Sequence, residues 1–266
     1  MFKLTLKPGR EKSLLRRHPW VFASGIARVE GSPGVGDTVA IHASDGKFLA
    51  MAAYSPESQI RARVWCWEQR SIDGPFFQER IRNAADVRAP LLASGVTNSV
   101  RLIHAECDGL PGVIVDRYSD TVVVQLNAAG AERWRGEIAD ALMVLPGITR
   151  VYERSDDEAR AREGLPPASG LLRGTPLTGP LLVEEHGLKF HTAIEAGHKT
   201  GYYLDQRDNH MFLKDFSAGR TVLDCFCYSG GFALHAMAGG ASTVTAIDSS
   251  GAALALAREN ETLNGM

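Results

Sequence analysis

Two aspartates and a glycine pair are spaced along Thr221 to Asp248, which reads TVLDCFCYSGGFALHAMAGGASTVTAID. Asp224 closes a short apolar run, Gly230 and Gly231 follow it, and Asp248 closes a second apolar run. A carboxylate at the end of a strand can accept hydrogen bonds from both hydroxyls of a ribose. Glycines have no Cβ, so the backbone can turn sharply and come close to a ligand. Together these residues could seat a nucleoside.

The elements that must position them follow from the same stretch. Val222 and Leu223 read as the buried end of a strand, Phe232 to Ala238 as a helix, and the run ending at Asp248 as a second strand. Strand, glycine turn, helix and strand build a pocket at the carboxyl edge of a parallel sheet. The glycines do not follow G-x-G-x-x-G, the spacing that seats a dinucleotide pyrophosphate on a helix N-terminus. Asp224 before the turn suits a ligand with a positive amine and no phosphate. That describes S-adenosylmethionine better than NAD. The alternative is an ordinary strand–helix–strand unit with no ligand.

Upstream, Gly36 to His42, Lys47 to Tyr54 and Ile60 to Trp67 read as three strands, with a tight turn at Ser44-Asp45-Gly46 and a break at Ser55-Pro56-Glu57. Short strands at close intervals predict a small β-barrel or sandwich. The aromatics of His18-Pro19-Trp20-Val21-Phe22 read as core rather than as base-stacking platforms. Phe76, Phe77, Ile81, Ala84, Ala85 and Arg88 have helical spacing. Val113 to Tyr118 and Thr121 to Leu126 pair as a hairpin through Ser119-Asp120, and Ala131 to Leu145 forms one helix. Ser155 to Glu158 predicts a capping box. Leu165 to Pro180 reads as a linker loop, and Leu181 to Ile194 as a hairpin turning at His186-Gly187. Strands mixed with helices predict an α+β domain here. Ser249 or Ser250 caps a last helix whose buried face carries Ala253, Leu256, Asn260 and Leu263.

The 266 residues are enough for two or three domains. No run of about 18 apolar residues spans a membrane, and the basic N-terminus lacks the apolar region of a secretory signal. Cys66, Cys107, Cys225 and Cys227 are irregularly spaced apart from one C-x-C, so no metal site is expected. Reduced thiols of a cytoplasmic protein fit better. The net charge of −2 hides an asymmetry, because Lys3, Lys7, Arg10, Lys12, Arg16 and Arg17 face Glu11 alone near the start. A basic end on an acidic body suggests a nucleic-acid contact at Lys7, Arg10, Arg16 and Arg17, or else a solvated tail.

Four stretches resemble one family. They are Arg17 to Phe22 (RHPWVF), Glu106 to Gly112 with Asp116 to Tyr118 (ECDGLPG, DRY), His198 to Arg207 (HKTGYYLDQR) and Asp224 to Gly231 (DCFCYSGG). In this order they are similar to the bacterial PUA-domain methyltransferases that make 5-methylcytosine in large-subunit ribosomal RNA. The resemblance implies a multidomain α+β and α/β chain. Residues 1–70 would be a PUA-like β-barrel, 71–195 a central α+β domain, and 196–266 the first part of a Rossmann-like methyltransferase domain. It implies S-adenosylmethionine as cofactor, held by Asp224, Phe226, Tyr228, Gly230, Gly231, Asp248, Gln206 and Arg207. It also implies ribosomal RNA as partner, with no membrane and no metal. The oligomeric state stays open, a homodimer included.

The family's chemistry uses a cysteine thiolate that adds to carbon 6 of cytosine before carbon 5 takes the methyl group. An Asp-Pro-Pro motif holds the unstacked base. No Asp-Pro-Pro occurs among the 266 residues, and Cys225 and Cys227 sit in the cofactor loop. The resemblance therefore places the catalytic residues after Met266 and predicts an incomplete, inactive chain. Asp108 and Asp116 read as turn and capping residues. Two rivals remain: a methyltransferase for a guanine of the same RNA, and an RNA-binding or assembly protein without catalysis.

Overall fold

The computed structural model describes residues 1–194 and 200–266. The chain divides into two compact units. The first comprises Met1–Val87, Leu102–Val115 and Thr121–Thr175, and the second Arg88–Arg101, Asp116–Asp120 and Pro176–Met266.

The first unit opens with β1 (Phe2–Leu6), α1 (Lys12–Leu15), β2 (Trp20–Phe22), β3 (Ile26–Glu30), β4 (Thr38–His42), β5 (Phe48–Tyr54) and β6 (Ile60–Cys66). These strands form one sheet in the order β2-β6-β5-β4-β1-β3, with β1 parallel to β4 and the other pairs antiparallel. Leu4, Leu6, Val39, Ile41, Ala52 and Val64 alternate inward and fill its core. The three expected strands are present. β1 to β3 are additional. The aromatics of β2 are a correction. Phe22 is 48% exposed. Trp20 is only half-buried, because its Nε1 donates to Glu106 Oε1 at 2.8 Å and the Arg63 guanidinium lies 5.4 Å over its ring.

Next come α2 (Gly74–Ala93), β7 (Ser99–His104), β8 (Val113–Tyr118), β9 (Thr121–Leu126), α3 (Ala129–Arg133), α4 (Arg135–Met143), β10 (Arg150–Arg154), α5 (Asp157–Arg162) and β11 (Ser169–Gly174). The sheet order is β11-β10-β9-β8-β7. Three expectations change here. The stretch 131–145 is two helices broken at Trp134 rather than one. A Cβ on Gly130 would come within 2.3 Å of Ala53 Cβ, so α3 is seated tightly. The cap of α5 is Asp156, whose Oδ1 accepts from Ala159 N at 2.7 Å. Ser155 is unavailable because its hydroxyl donates to Glu153 Oε1 at 2.6 Å and accepts from Leu126 N at 2.9 Å. The expected linker 165–180 contains β11, an edge strand antiparallel to β10.

An ion network closes this unit. Arg160 is 1% exposed and donates from Nη1 to Leu126 O (2.7 Å) and Glu132 Oε2 (2.9 Å), and from Nε to Pro166 O (2.6 Å). Glu153, fully buried, lies 3.8 Å from Arg160 and 2.7 Å from Arg135, the latter off the hydrogen-bond axis. The four tryptophans, Trp20, Trp65, Trp67 and Trp134, all belong to this unit.

The second unit holds a hairpin of β12 (Leu181–Glu185) and β13 (Leu188–Thr192), α6 (Arg207–Asp215), β14 (Thr221–Cys225), α7 (Gly231–Ala238), β15 (Thr243–Ile247) and α8 (Gly251–Leu263). β14 and β15 are parallel, with Asp224 opposite Ala246. Ser250 caps α8 by accepting from Ala253 N at 3.2 Å. Asn260 is fully buried, accepts from His191 N at 2.7 Å and donates to Ser229 O at 3.0 Å, so α8 is tied to both β13 and the loop after β14. Leu263, expected on the buried face, is instead 36% exposed at the fraying end. Asp116 is neither turn nor cap. It is a buried β8 residue paired with Arg101 at 2.8 and 2.9 Å. Asp108 does act as a local cap, accepting from His104 N at 2.6 Å.

Candidate cofactor site

The loop between β14 and α7 is built from left-handed residues. Phe226 has φ 65°, Tyr228 φ 49° and Gly230 φ 86°. Only the glycine adopts this region without cost. The two aromatic positions are held there by backbone ties: Cys227 N donates to Ile247 O at 3.0 Å, and Tyr228 N donates to Asp248 Oδ2 at 2.9 Å. Asp248 Oδ1 accepts from Ser250 N at 2.8 Å. Each carboxylate oxygen carries two lone pairs, and Asp248 lines the cleft beside this loop.

A cleft of about 430 Å³ opens beside this loop, lined by Tyr202, Tyr203, Gln206, His210, Phe226 to Ser229, Gly231, Phe232, Asp248 and Ser249. Its size and its mix of aromatics with a few polar groups suit a nucleoside-sized ligand. Of the expected cofactor residues, Phe226, Tyr228, Gly231, Asp248 and Gln206 line it. Asp224, Gly230 and Arg207 do not. Asp224 Oδ2 accepts from Ala233 N, in the first turn of α7, at 3.1 Å. Burial raises its carboxyl above the usual range, and neighbouring Asp248 adds to this, while the Ala233 amide and His210 oppose it. Gly230 makes the turn, and a Cβ there would meet Leu234 at 2.7 Å. Arg207 pairs with Asp208 at 3.1 Å. A second cavity of about 570 Å³, beside α7, α8 and β15, is lined by Ala233, Met237, Val244 and Leu254 and carries none of the expected residues except Gly230.

Cys225 is exposed. Cys227 is not set up as a nucleophile, because it is buried with its thiol pushed up by burial and by Asp224 and Asp248. A raised pKa leaves little thiolate at neutral pH. His198 and Lys199 of the family-like stretch lie outside the described residues. Lys7, Arg10, Arg16 and Arg17 are all exposed. Lys7 Nζ donates to Ser24 O at 2.9 Å, and the Arg17 guanidinium lies 5.0 Å over Trp67.

Sequence reasoning missed a buried cluster under the cleft. His210 Nδ1 is 2.6 Å from Glu185 Oε1, and His235 Nε2 is 3.5 Å from the same oxygen. His235 Nδ1 lies 2.8 Å from Gly231 O, so it carries the proton donated to that carbonyl. The only sequence signal is a histidine inside the apolar α7. Burial lowers the His235 pKa to about 4. Between pH 6.5 and about 4 the unfolded chain binds a proton at this site that the folded chain refuses. Stability should therefore fall as pH falls through that window, by about 3 kcal/mol in all. His235→Ser should flatten this dependence in far-ultraviolet unfolding curves taken from pH 7 to 4. An equal pH slope in the variant would remove His235 as the cause.

Residues 4–67 match a PUA-like domain, and residues 160–266 match an S-adenosylmethionine-dependent methyltransferase domain. Ribosomal RNA large subunit methyltransferase I of Pseudoalteromonas translucida is 50% identical over 263 residues, covering 98% of this chain and 66% of its own length. The protein of that name from Shewanella denitrificans is 47% identical over 267 residues, covering 99% of this chain and 67% of its own length. The chain thus spans about two thirds of the length of these relatives. Among solved structures, a Streptococcus mutans protein described as a SAM-dependent methyltransferase superposes with a TM-score of 0.84 at 25% identity, over 100% of this chain and 68% of that one. A methyltransferase solved with SAH gives a TM-score of 0.86 at 24% identity, over 100% and 67%, and shows the same fold. No helix among the described residues is long and apolar enough to cross a membrane. With a PUA-like domain and a Rossmann-like methyltransferase domain whose cofactor is S-adenosylmethionine, the chain belongs to the family of the large-subunit ribosomal RNA methyltransferase I proteins.

Proposed function

We propose that this chain takes part in S-adenosylmethionine-dependent methylation of carbon 5 of a cytosine in large-subunit ribosomal RNA, in the cytoplasm. The observation that carries the reading is the cleft whose rim joins Asp248 to the left-handed Phe226–Tyr228 loop. Asp248 would hold the ribose, and Phe226 and Tyr228 would flank the adenine. Gly231 leaves room for the sulfur side, and Gln206 closes the cleft. Asp224, Gly230 and Arg207 would support these contacts from outside the lining. Bound there, S-adenosylmethionine supplies an electrophilic methyl group. This chain's residues orient it and exclude water.

The RNA and the base come from the names of the relatives and from the family-like stretches of the sequence. The same resemblance supports a division into a PUA-like domain at 1–70, a central domain at 71–195 and a methyltransferase domain from 196. The thiolate and base-holding acid of the family's chemistry have no counterpart assigned within residues 1–266.

The direct test is transfer of labelled methyl groups to unmodified large-subunit RNA. The chain should be run beside a version extended to its relatives' length, with the product nucleoside identified by mass. The expected product of the extended version is 5-methylcytidine. A methylguanosine would overturn the base assignment, and no product with either version would overturn the reading.

The basic N-terminal segment would meet RNA phosphates. Neutralising Arg10, Arg16 and Arg17 together should weaken binding to a large-subunit RNA fragment. It should also reduce the slope of log affinity against log salt by roughly 2 to 3. An unchanged slope would leave these residues as a solvated face.

A further inference from the structure

Residues 200–203 belong to no helix or strand, yet Tyr202 and Tyr203 line the cofactor cleft. A line of buried polar groups that starts on β8 holds them. Asp116 is 1% exposed and accepts from Arg101 Nε and Nη2 at 2.8 and 2.9 Å. Its Oδ2 also accepts from Thr200 Oγ1 at 2.5 Å. The Thr200 hydroxyl has a single proton, and the carboxylate takes it. Tyr118 Oη, 2.8 Å away, therefore donates to Thr200 Oγ1. The same Tyr118 oxygen accepts from Tyr202 N at 3.2 Å. Each donor thus faces an acceptor, from the Tyr202 amide through Tyr118 and Thr200 to Asp116. All four residues are buried, where such bonds are stronger than in water.

A second tie runs from this segment to the nucleoside end of the cleft. Gly201 has φ 136°, and a Cβ there would stand 2.9 Å from Thr192 Oγ1. Its carbonyl accepts from Thr192 Oγ1 at 2.6 Å and from Tyr228 Oη at 2.9 Å. The Tyr203 and Tyr228 rings meet edge to face, 5.4 Å apart. Tyr228 N in turn donates to Asp248 Oδ2 at 2.9 Å. Three successive residues are therefore fixed by a side chain at Thr200, a carbonyl at Gly201 and an amide at Tyr202. A buried ion pair contributes little to stability beyond what apolar packing would give. Here the Arg101–Asp116 pair fixes the geometry of a segment that no regular element holds.

Resting on the cofactor reading above and deepening it, we propose that Asp116, Tyr118 and Thr200 are positioning residues for S-adenosylmethionine. They set residues 200–203 as one wall of the cleft. Gly201 O passes that position through Tyr228 to Asp248, at the nucleoside end. None of the three touches the cofactor in this arrangement.

The test uses the full chain and two ligands. S-adenosylhomocysteine carries the amino-acid group, and 5′-methylthioadenosine has the same nucleoside and sulfur without it. Both should be titrated calorimetrically into wild type, Thr200→Val, Thr200→Ser, Tyr118→Phe, Tyr228→Phe and the double variant Thr200→Val/Tyr228→Phe, with urea unfolding measured on each. Thr200→Val and Tyr118→Phe should each weaken both ligands by about fivefold or more, the lower end of what coupled sites show. Thr200→Ser keeps the hydroxyl and should bind as wild type does. The double variant should lose less than the product of its two single losses, because both changes break one line. Arg160→Met, which destabilises the first unit, should leave both affinities unchanged and so separates positioning from stability alone. Tyr118→Phe leaves the Arg101–Asp116 pair and Thr200 in place, so it decides the matter if Thr200→Val does not fold. Unchanged affinity beside lowered stability would mean a merely structural role and overturn the proposal. A loss confined to S-adenosylhomocysteine would place the effect at the amino-acid end and overturn it too, as would single losses that multiply in the double variant. If wild type binds neither ligand, the cofactor reading itself fails, a result distinct from losses confined to the variants.

Discussion

Asp248→Ala should weaken S-adenosylmethionine binding by about tenfold or more. A charge-assisted hydrogen bond contributes roughly 1.5–3 kcal/mol, and the carboxylate can offer two to the ribose. The substitution also releases Tyr228 N and Ser250 N, which lose their acceptors at 2.9 and 2.8 Å. The loop then loses one of the ties that hold Tyr228 at positive φ, so the measured loss should exceed that of the ribose contact alone. Asp248→Asn should rescue little. Its amide would turn a donor toward one of those two backbone donors. Because both substitutions act on the nucleoside end, S-adenosylhomocysteine and methylthioadenosine should lose affinity together. Calorimetry showing unchanged affinity for Asp248→Ala would sink the ribose assignment.

Arg160→Met should destabilise the first unit by about 3 kcal/mol, at the lower end of what is lost when one partner of a buried ion pair is removed. The methionine fills much of the arginine's volume, so little of the loss comes from a cavity. The cost arises at the groups left behind. Leu126 O and Pro166 O lose donors, and fully buried Glu153 loses one of its two positive neighbours. Arg135, 2.7 Å from Glu153, stays in place and keeps the figure from rising further. The double change Arg160→Met/Glu153→Gln should recover part of the loss, because it removes the uncompensated charge. Urea unfolding followed by tryptophan fluorescence is the measurement, since all four tryptophans report on this unit. A change below about 1 kcal/mol would show that Arg160 fills space and contributes little through its charge.

What could be read from the residues followed from local signals. The hairpin of β8 and β9 is visible because apolar runs flank Ser119-Asp120, and β12 and β13 because His186-Gly187 takes positive φ at both positions. The loop from Asp224 to Gly231 is visible because its glycines and acid have few other uses. The unread parts depend on partners far away in sequence. Asp116 looks like a turn residue until Arg101 arrives on β7. Trp20 looks like core until Glu106 draws its indole toward the surface. β11 reads as a linker because an edge strand needs only one neighbour and tolerates Gly170 and Gly174. Glu185 and His210 meet across 25 residues, and no periodicity encodes that meeting.

The left-handed loop also has a kinetic consequence. Phe226 and Tyr228 occupy a costly backbone region before any ligand arrives, and the Ile247 and Asp248 ties already meet that cost in the free chain. Little ordering is left for the moment of binding. Variants of the cleft should therefore differ chiefly in how long the cofactor stays and only slightly in how fast it arrives.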